Sequence, residues 1–163
     1  MSVCKVSLAL SALIAASPFV QAQDRKPGLY DVTLTTTSLQ PSQVTYPPHT
    51  IQACLTPEMI EKYGAIVPED VTRICKVTNV KKGQGNTLAS LVCTGSVEGK
   101  GTLKVVWTDG EHTKGQIQFA GVIRPNGQEI KVEWNTETAS VYKGPDCGAL
   151  APPPAQPSPA PGK

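Results

Sequence analysis

Histidine is scarce in this chain: His49 and His112 are the only two among 163 residues. With them goes most of the supply of general bases and imidazole metal ligands. Nucleophile motifs are missing as well. Gly95-Ser96 lacks the glycine spacing of a nucleophile elbow, and Ser96 has no His near it in sequence. No C-x-x-C or paired Cys/His spacing occurs, which argues against a structural zinc. Nor is charge of one sign in excess, since 15 Lys and Arg against 13 Asp and Glu leave a formal +2. Binding along a phosphate backbone needs a larger cationic surplus, so no nucleic acid is expected as a partner. The apolar runs fall short of the about 20 residues that a transmembrane helix requires. No internal repeat is found, and no helix long enough for a βαβ unit. A non-enzymatic protein without a cofactor is the expectation.

What is present starts with two atypical ends. Residues 1–22 read as a signal peptide. Lys5 leads into the apolar stretch Val6–Ala16, Ser17-Pro18-Phe19 breaks it, and Val20-Gln21-Ala22 supplies a cleavage site before Gln23. Cys4 would leave with this segment, and no transmembrane segment would remain. The expected location is the periplasm or the exterior. Residues 151–163 hold six Pro and no large apolar side chain. That Pro-rich tail is expected to be extended or disordered. Between the ends, residues 23–150 form the expected disulfide-bonded β domain.

Four cysteines remain, Cys54, Cys75, Cys93 and Cys147, and an exported chain pairs them by default. Of three possible pairings one is favoured. The β-like runs Lys76–Val80 and Thr87–Val92 flank a turn-forming stretch, Lys81-Lys82-Gly83-Gln84-Gly85-Asn86. The midpoint of positions 75 and 93 falls inside that stretch. Cys75 and Cys93 would thus oppose each other across an antiparallel pair, close enough for a disulfide. Cys54–Cys147 follows by elimination.

Strand patterns fill the rest. Leu29–Thr35 alternates, with Tyr30, Val32 and Leu34 on one face. His49–Leu55 is a second, less regular strand. Thr56-Pro57-Glu58 starts a helix that Gly64 ends, and Met59, Ile60 and Tyr63 dock it. Thr102–Trp107 runs into Asp109-Gly110, a hairpin signal, and Gln116–Phe119 rises to Asn126-Gly127, a favoured two-residue turn. Folding about that turn sets Phe119 opposite Trp134 and Ile123 opposite Ile130. The fold class expected is mainly β: an antiparallel meander of about seven strands forming a curved sheet or partly closed barrel, with one short helix near 57–63.

Two residue sets are candidates for function. Trp107, Phe119, Ile123, Ile130, Val132 and Trp134 share one face, either as core or as the floor of a ligand site. Arg73, Lys76, Lys81, Lys82 and Lys104, with Lys100 and Lys114 nearby, fall around the central hairpins. On one face they would form a basic patch for an anionic lipid head group or an acidic partner; dispersed, they would protect sheet edges. Asp109, Glu111 and His112 gather near one turn, and turn chemistry explains those letters as well as a site does. His49 reads as a polar strand residue.

Pro27-Gly28-Leu29-Tyr30-Asp31, Gln52-Ala53-Cys54-Leu55-Thr56, the following Cys75 and Cys93, and Tyr142-Lys143-Gly144-Pro145-Asp146-Cys147-Gly148 together resemble the exported bacterial domain-of-unknown-function family 3617. The resemblance spans about residues 27–150, as a single-domain family would. It implies a periplasmic, disulfide-bonded, mostly β domain and transfers no catalytic residue. The functional expectation is a binding or envelope-support module with an apolar or lipid-like ligand in the concave sheet. The alternative is a protein-interaction module, such as an inhibitor of an envelope hydrolase, acting through the Asp109-Gly110-Glu111-His112 turn or the Lys81-Lys82 loop.

Overall fold

The computed structural model describes residues 24–67 and 69–150. The signal peptide expected over 1–22 and the Pro-rich tail expected over 151–163 lie outside the described residues. In chain order the elements are β1 (Gly28–Gln40), β2 (Val44–Thr45), β3 (His49–Leu55), α1 (Pro57–Tyr63), α2 (Glu69–Ile74), β4 (Cys75–Gly83), β5 (Asn86–Cys93), β6 (Val97–Trp107), β7 (His112–Ile123) and β8 (Ile130–Gly144). The protein is mostly β, an antiparallel sheet that does not close. Five consecutive strands, β4 to β8, form a meander. β1 then lies on the far side of β8, and β3 and β2 pair with the outer edge of β1. The first and last long strands are therefore neighbours, and Cys54–Cys147, with Cα atoms 5.5 Å apart, ties the end of β3 to the segment after β8.

Local chemistry sets the connections. Thr56 caps α1 by accepting the Met59 N–H through its hydroxyl at 3.1 Å, and Pro57 opens the first turn, where its missing N–H costs nothing. Gly64, at φ 64°, ends the helix by donating its N–H to the Ile60 and Met59 carbonyls. After β7, Asn126 and Gly127 both take positive φ, 52° and 78°, and the Gln128 N–H donates to the Pro125 carbonyl at 3.0 Å. This is the two-residue turn whose twist suits a hairpin. It sets Phe119 opposite Trp134 and Ile123 opposite Ile130.

Two turns differ from the sequence reading. The β4–β5 turn is not the six-residue stretch 81–86. Both strands run on until only Gln84 and Gly85 remain between them, and Gly85 supplies the positive φ of 75°. A bulge makes this possible: the register passes from Thr78↔Ser90 to Lys81↔Leu88, with Asn79 at φ 52°. The β6–β7 connection is wider than a two-residue Asp-Gly turn. Asp109 Oδ1 accepts the N–H groups of Glu111 at 2.8 Å and His112 at 2.7 Å, so its side chain shapes the loop. A second, six-residue helix, α2, precedes β4 and has no counterpart in the sequence reading.

Alternation along the strands gives the sheet an inner and an outer face. The inner face carries three apolar clusters. Tyr30, Val32 and Leu55 pack with Met59, Ile60 and Ile66 at the β1–β3 wing. Ala65, Ala89, Leu103 and Val105 pack with Val77, Trp107 and Ile117 at the β4–β7 wing. α1 and the segment after it thus fill the space between the wings, since Ile60 and Ile66 touch one cluster and Ala65 belongs to the other. The third cluster joins the Cys75–Cys93 disulfide to Phe119, with Val97, Val132 and Trp134 beside it.

Candidate functional site

The six residues of the possible ligand face all lie on the inner side of the sheet, but not as one surface. Phe119, Val132 and Trp134 belong to the disulfide cluster, Trp107 to the cluster around Ala65, and Ile123 and Ile130 pair near the end of the β7–β8 hairpin. Phe119 is 4 % exposed. Its ring lies over glycines of two strands: a Cβ at Gly99 would come within 2.7 Å of it, and one at Gly121 within 2.9 Å. A ring that covers such positions is acting as core. Trp134 stacks on it with centroids 4.2 Å apart.

A partly open cavity of about 80 Å³ lies between the wings, bordered by Arg25, Val32, Leu34, Val105, Thr138 and Ser140, among others. Pockets for drug-sized ligands run to about 300–1,000 Å³. This cavity takes a few waters or one small molecule, not a lipid chain. Arg25 is the residue that the sequence reading missed. It precedes β1, is only 5 % exposed, and passes its Nη1 N–H to the Gly64 carbonyl at 3.3 Å. Its guanidinium carbon sits 5.2 Å from the Tyr30 ring centre and 5.9 Å from that of Trp107. Burial pulls its pKa down, and the nearby Tyr30 partly opposes that.

The outer face is different in kind. Cross-strand pairing lines up Lys81, Leu88, Lys104, Gln116 and Glu137 in one row across β4 to β8. A parallel row runs Asn86, Val106, Lys114, Ala139, and another Lys76, Val92, Lys100, Ala120, Glu133. Five lysines thus stand on the outer side of β4, β6 and β7; Glu98, paired with Arg124, lies at the start of β6 on that side, and β8 presents Glu133 and Glu137 beside Lys131. Leu88 and Val106, 45 % and 38 % exposed, lie between the lysines. Two shallow depressions of about 510 and 720 Å³ meet at Lys104 and Gln116.

Of the basic residues read from sequence, the structure brings together Lys76, Lys81, Lys100, Lys104 and Lys114. It does not bring in Lys82. Opposite the buried Thr87, Lys82 turns to the other face and donates its ammonium to the Glu61 carbonyl at the end of α1. Arg73 stands in the last turn of α2, off the sheet.

The Asp109 loop is engaged internally. Hydrogen bonds from the Glu111 and His112 amides hold the Asp109 carboxyl below the usual carboxylate range, and the His112 ring lies 3.2 Å from both its oxygens. Glu111 turns to Lys26, 2.6 Å away, and that ion pair raises the lysine pKa. Tyr30 Oη donates to the Lys26 carbonyl at 2.7 Å and the Gly110 carbonyl at 2.9 Å. These contacts fasten the segment before β1 to the loop. His49 is an exposed residue of β3 paired with Leu34. Among the described residues no three His, Cys, Asp or Glu side chains gather to hold a metal, and no helix is long and apolar enough to cross a membrane.

An open antiparallel β domain with two disulfides and a buried arginine is the class of protein these observations define. Residues 25–147 match the family described as a protein of unknown function (DUF3617), and the chain belongs to that family. The matched span begins at Arg25 and ends at Cys147. No curated protein and no solved structure matches the chain.

Proposed function

We propose that this is an exported, non-catalytic binding module of the cell envelope, and that it docks on anionic lipid head groups through the outer face of β4 to β7. The observation that carries the reading is the clustering of Lys76, Lys81, Lys100, Lys104 and Lys114 on that one face, with Leu88 and Val106 exposed between them. Lysines near an anionic membrane contribute about 1 kcal/mol each, and aliphatic side chains among them add contact with the acyl boundary. The face is broad and shallow, which suits a surface better than a single small ligand. Binding of a lipid chain inside the sheet has less support, because the cavity between the wings measures about 80 Å³. Docking through the Asp109 loop has less support too, because Asp109, Gly110 and Glu111 already serve internal contacts.

Co-sedimentation with vesicles tests the reading. Vesicles containing phosphatidylglycerol should retain the protein and release it as salt rises, while phosphatidylcholine vesicles should not retain it. Replacing Lys81, Lys104 and Lys114 by Gln should weaken retention roughly 100-fold. Equal retention on neutral vesicles, or an unchanged triple variant, would sink the proposal.

A further inference from the structure

The buried end of Arg25 has an open edge. Its Nη1 is used on the Gly64 carbonyl, but Nε and Nη2 are buried without a hydrogen-bond partner. Those two N–H groups form one side of the guanidinium fork, the side that meets the two oxygens of a carboxylate in parallel. Among the described side chains no carboxylate pairs with this arginine. An arginine does not shed its proton in a protein, so the charge stays; the Tyr30 and Trp107 rings face it, and Nε and Nη2 are left free to bond an anion.

The cavity beside it has the makings of a complement. Val32, Leu34 and Ala53 form one wall, and Val105 and Ile117 the other. Thr113, Thr138 and Ser140, each with a hydroxyl, border the same space. Thr113 and Ser140 share a hydrogen bond, and whichever accepts it keeps its own proton to donate. Thus a cation with two free parallel donors, residues bearing hydroxyls and aliphatic walls border about 80 Å³. We infer that the cavity is a binding site for a short-chain carboxylate of the size of acetate or propionate, held bidentately by Nε and Nη2 of Arg25, with its short apolar end against the aliphatic walls. The fork geometry favours a planar two-oxygen anion over a spherical halide. The volume favours a chain of two or three carbons over a fatty acid.

The test uses the purified protein, stripped of small anions by extensive dialysis. Sodium acetate, propionate, chloride and decanoate are titrated at constant ionic strength while the melting temperature is followed. Carboxyl-labelled acetate is observed by 13C NMR in parallel. The expected result is a melting temperature that climbs with the logarithm of acetate or propionate concentration, together with a saturable carboxyl shift. Arg25→Met should weaken that binding roughly 10- to 100-fold. The NMR titration of the unaltered protein stands even if the variant fails to fold. Three results would overturn the inference: no saturable acetate shift, an equal response to chloride, or Arg25-dependent binding of decanoate but not of the short acids.

Discussion

Phe119 and Trp134 face each other directly across the β7–β8 hairpin and stack, their ring planes 22° apart. The pair closes the end of the inner face away from α1. Phe119 reaches sideways from there, over Gly99 and Gly101 of β6 and Gly121 of its own strand, to the Cys75–Cys93 disulfide. One ring therefore fills the space that three glycines leave open. Phe119→Ala should cost about 3–5 kcal/mol. Gly99→Ala should destabilise as well, because its Cβ would meet the Phe119 ring at 2.7 Å and lie still nearer to the Ala120 carbonyl on the neighbouring strand. Urea unfolding midpoints of the two variants measure both losses.

Tyr30 is fully buried, and its hydroxyl joins the Lys26 and Gly110 carbonyls. Tyr30→Phe keeps the ring but takes the hydroxyl from both carbonyls and leaves Gly110 only the Lys26 amide, so a loss of about 1–3 kcal/mol is expected. The same change should loosen the segment before β1. Hydrogen exchange of the Lys26 amide, which donates to the Gly110 carbonyl at 3.2 Å, should accelerate more than that of the β7–β8 ladder.

How far the fold could be read from sequence depended on whether local chemistry had one outcome. Asn126-Gly127 tolerates two consecutive positive φ angles, which fixes the β7–β8 register. The Thr56-Pro57 start and the Gly64 stop bound α1 in the same way. α2 has start signals in Pro68, Glu69 and Asp70, but its six residues are too few to show an apolar period. The outer lysine rows were half legible. Counting by two from Lys76 puts Lys82 on its face and Lys81 on the other, but the bulge at Asn79 exchanges them. Nothing local marks Arg25. It lies before β1, outside any strand period, and its burial comes from β1, β3 and the segment after α1 closing around it.

The two disulfides should differ in their contribution. Cys54–Cys147 spans 93 positions and Cys75–Cys93 spans 18. Chain entropy alone gives about 4.5 kcal/mol for the long loop and about 3 kcal/mol for the short one. The paired replacement Cys54→Ala with Cys147→Ala should therefore lower the melting temperature further than Cys75→Ala with Cys93→Ala. The comparison also loses apolar burial in the second pair, where Cys75 and Cys93 pack on Phe119, so the entropic difference sets an upper bound. Differential scanning calorimetry of both double variants, oxidised and reduced, checks the order.

Asp109 gives the protein a local acid sensitivity. Its carboxylate accepts the Glu111 and His112 amides, and these hydrogen bonds hold its pKa below the ordinary aspartate value of about 3.9. A depressed folded-state pKa contributes stability that is present above the unfolded value and lost as the pH falls through the folded one. The β6–β7 loop should accordingly stay closed from neutral pH down to about 4 and open below that. Asp109→Asn keeps one acceptor oxygen without the charge, so it should weaken the loop at neutral pH and remove its acid transition. NMR titration of the Glu111 and His112 amide shifts from pH 6 to pH 2, about two units either side of the usual aspartate value, reads both effects. Amide shifts that move only above pH 5, where the ordinary carboxylate is already ionised, would contradict the assignment to Asp109.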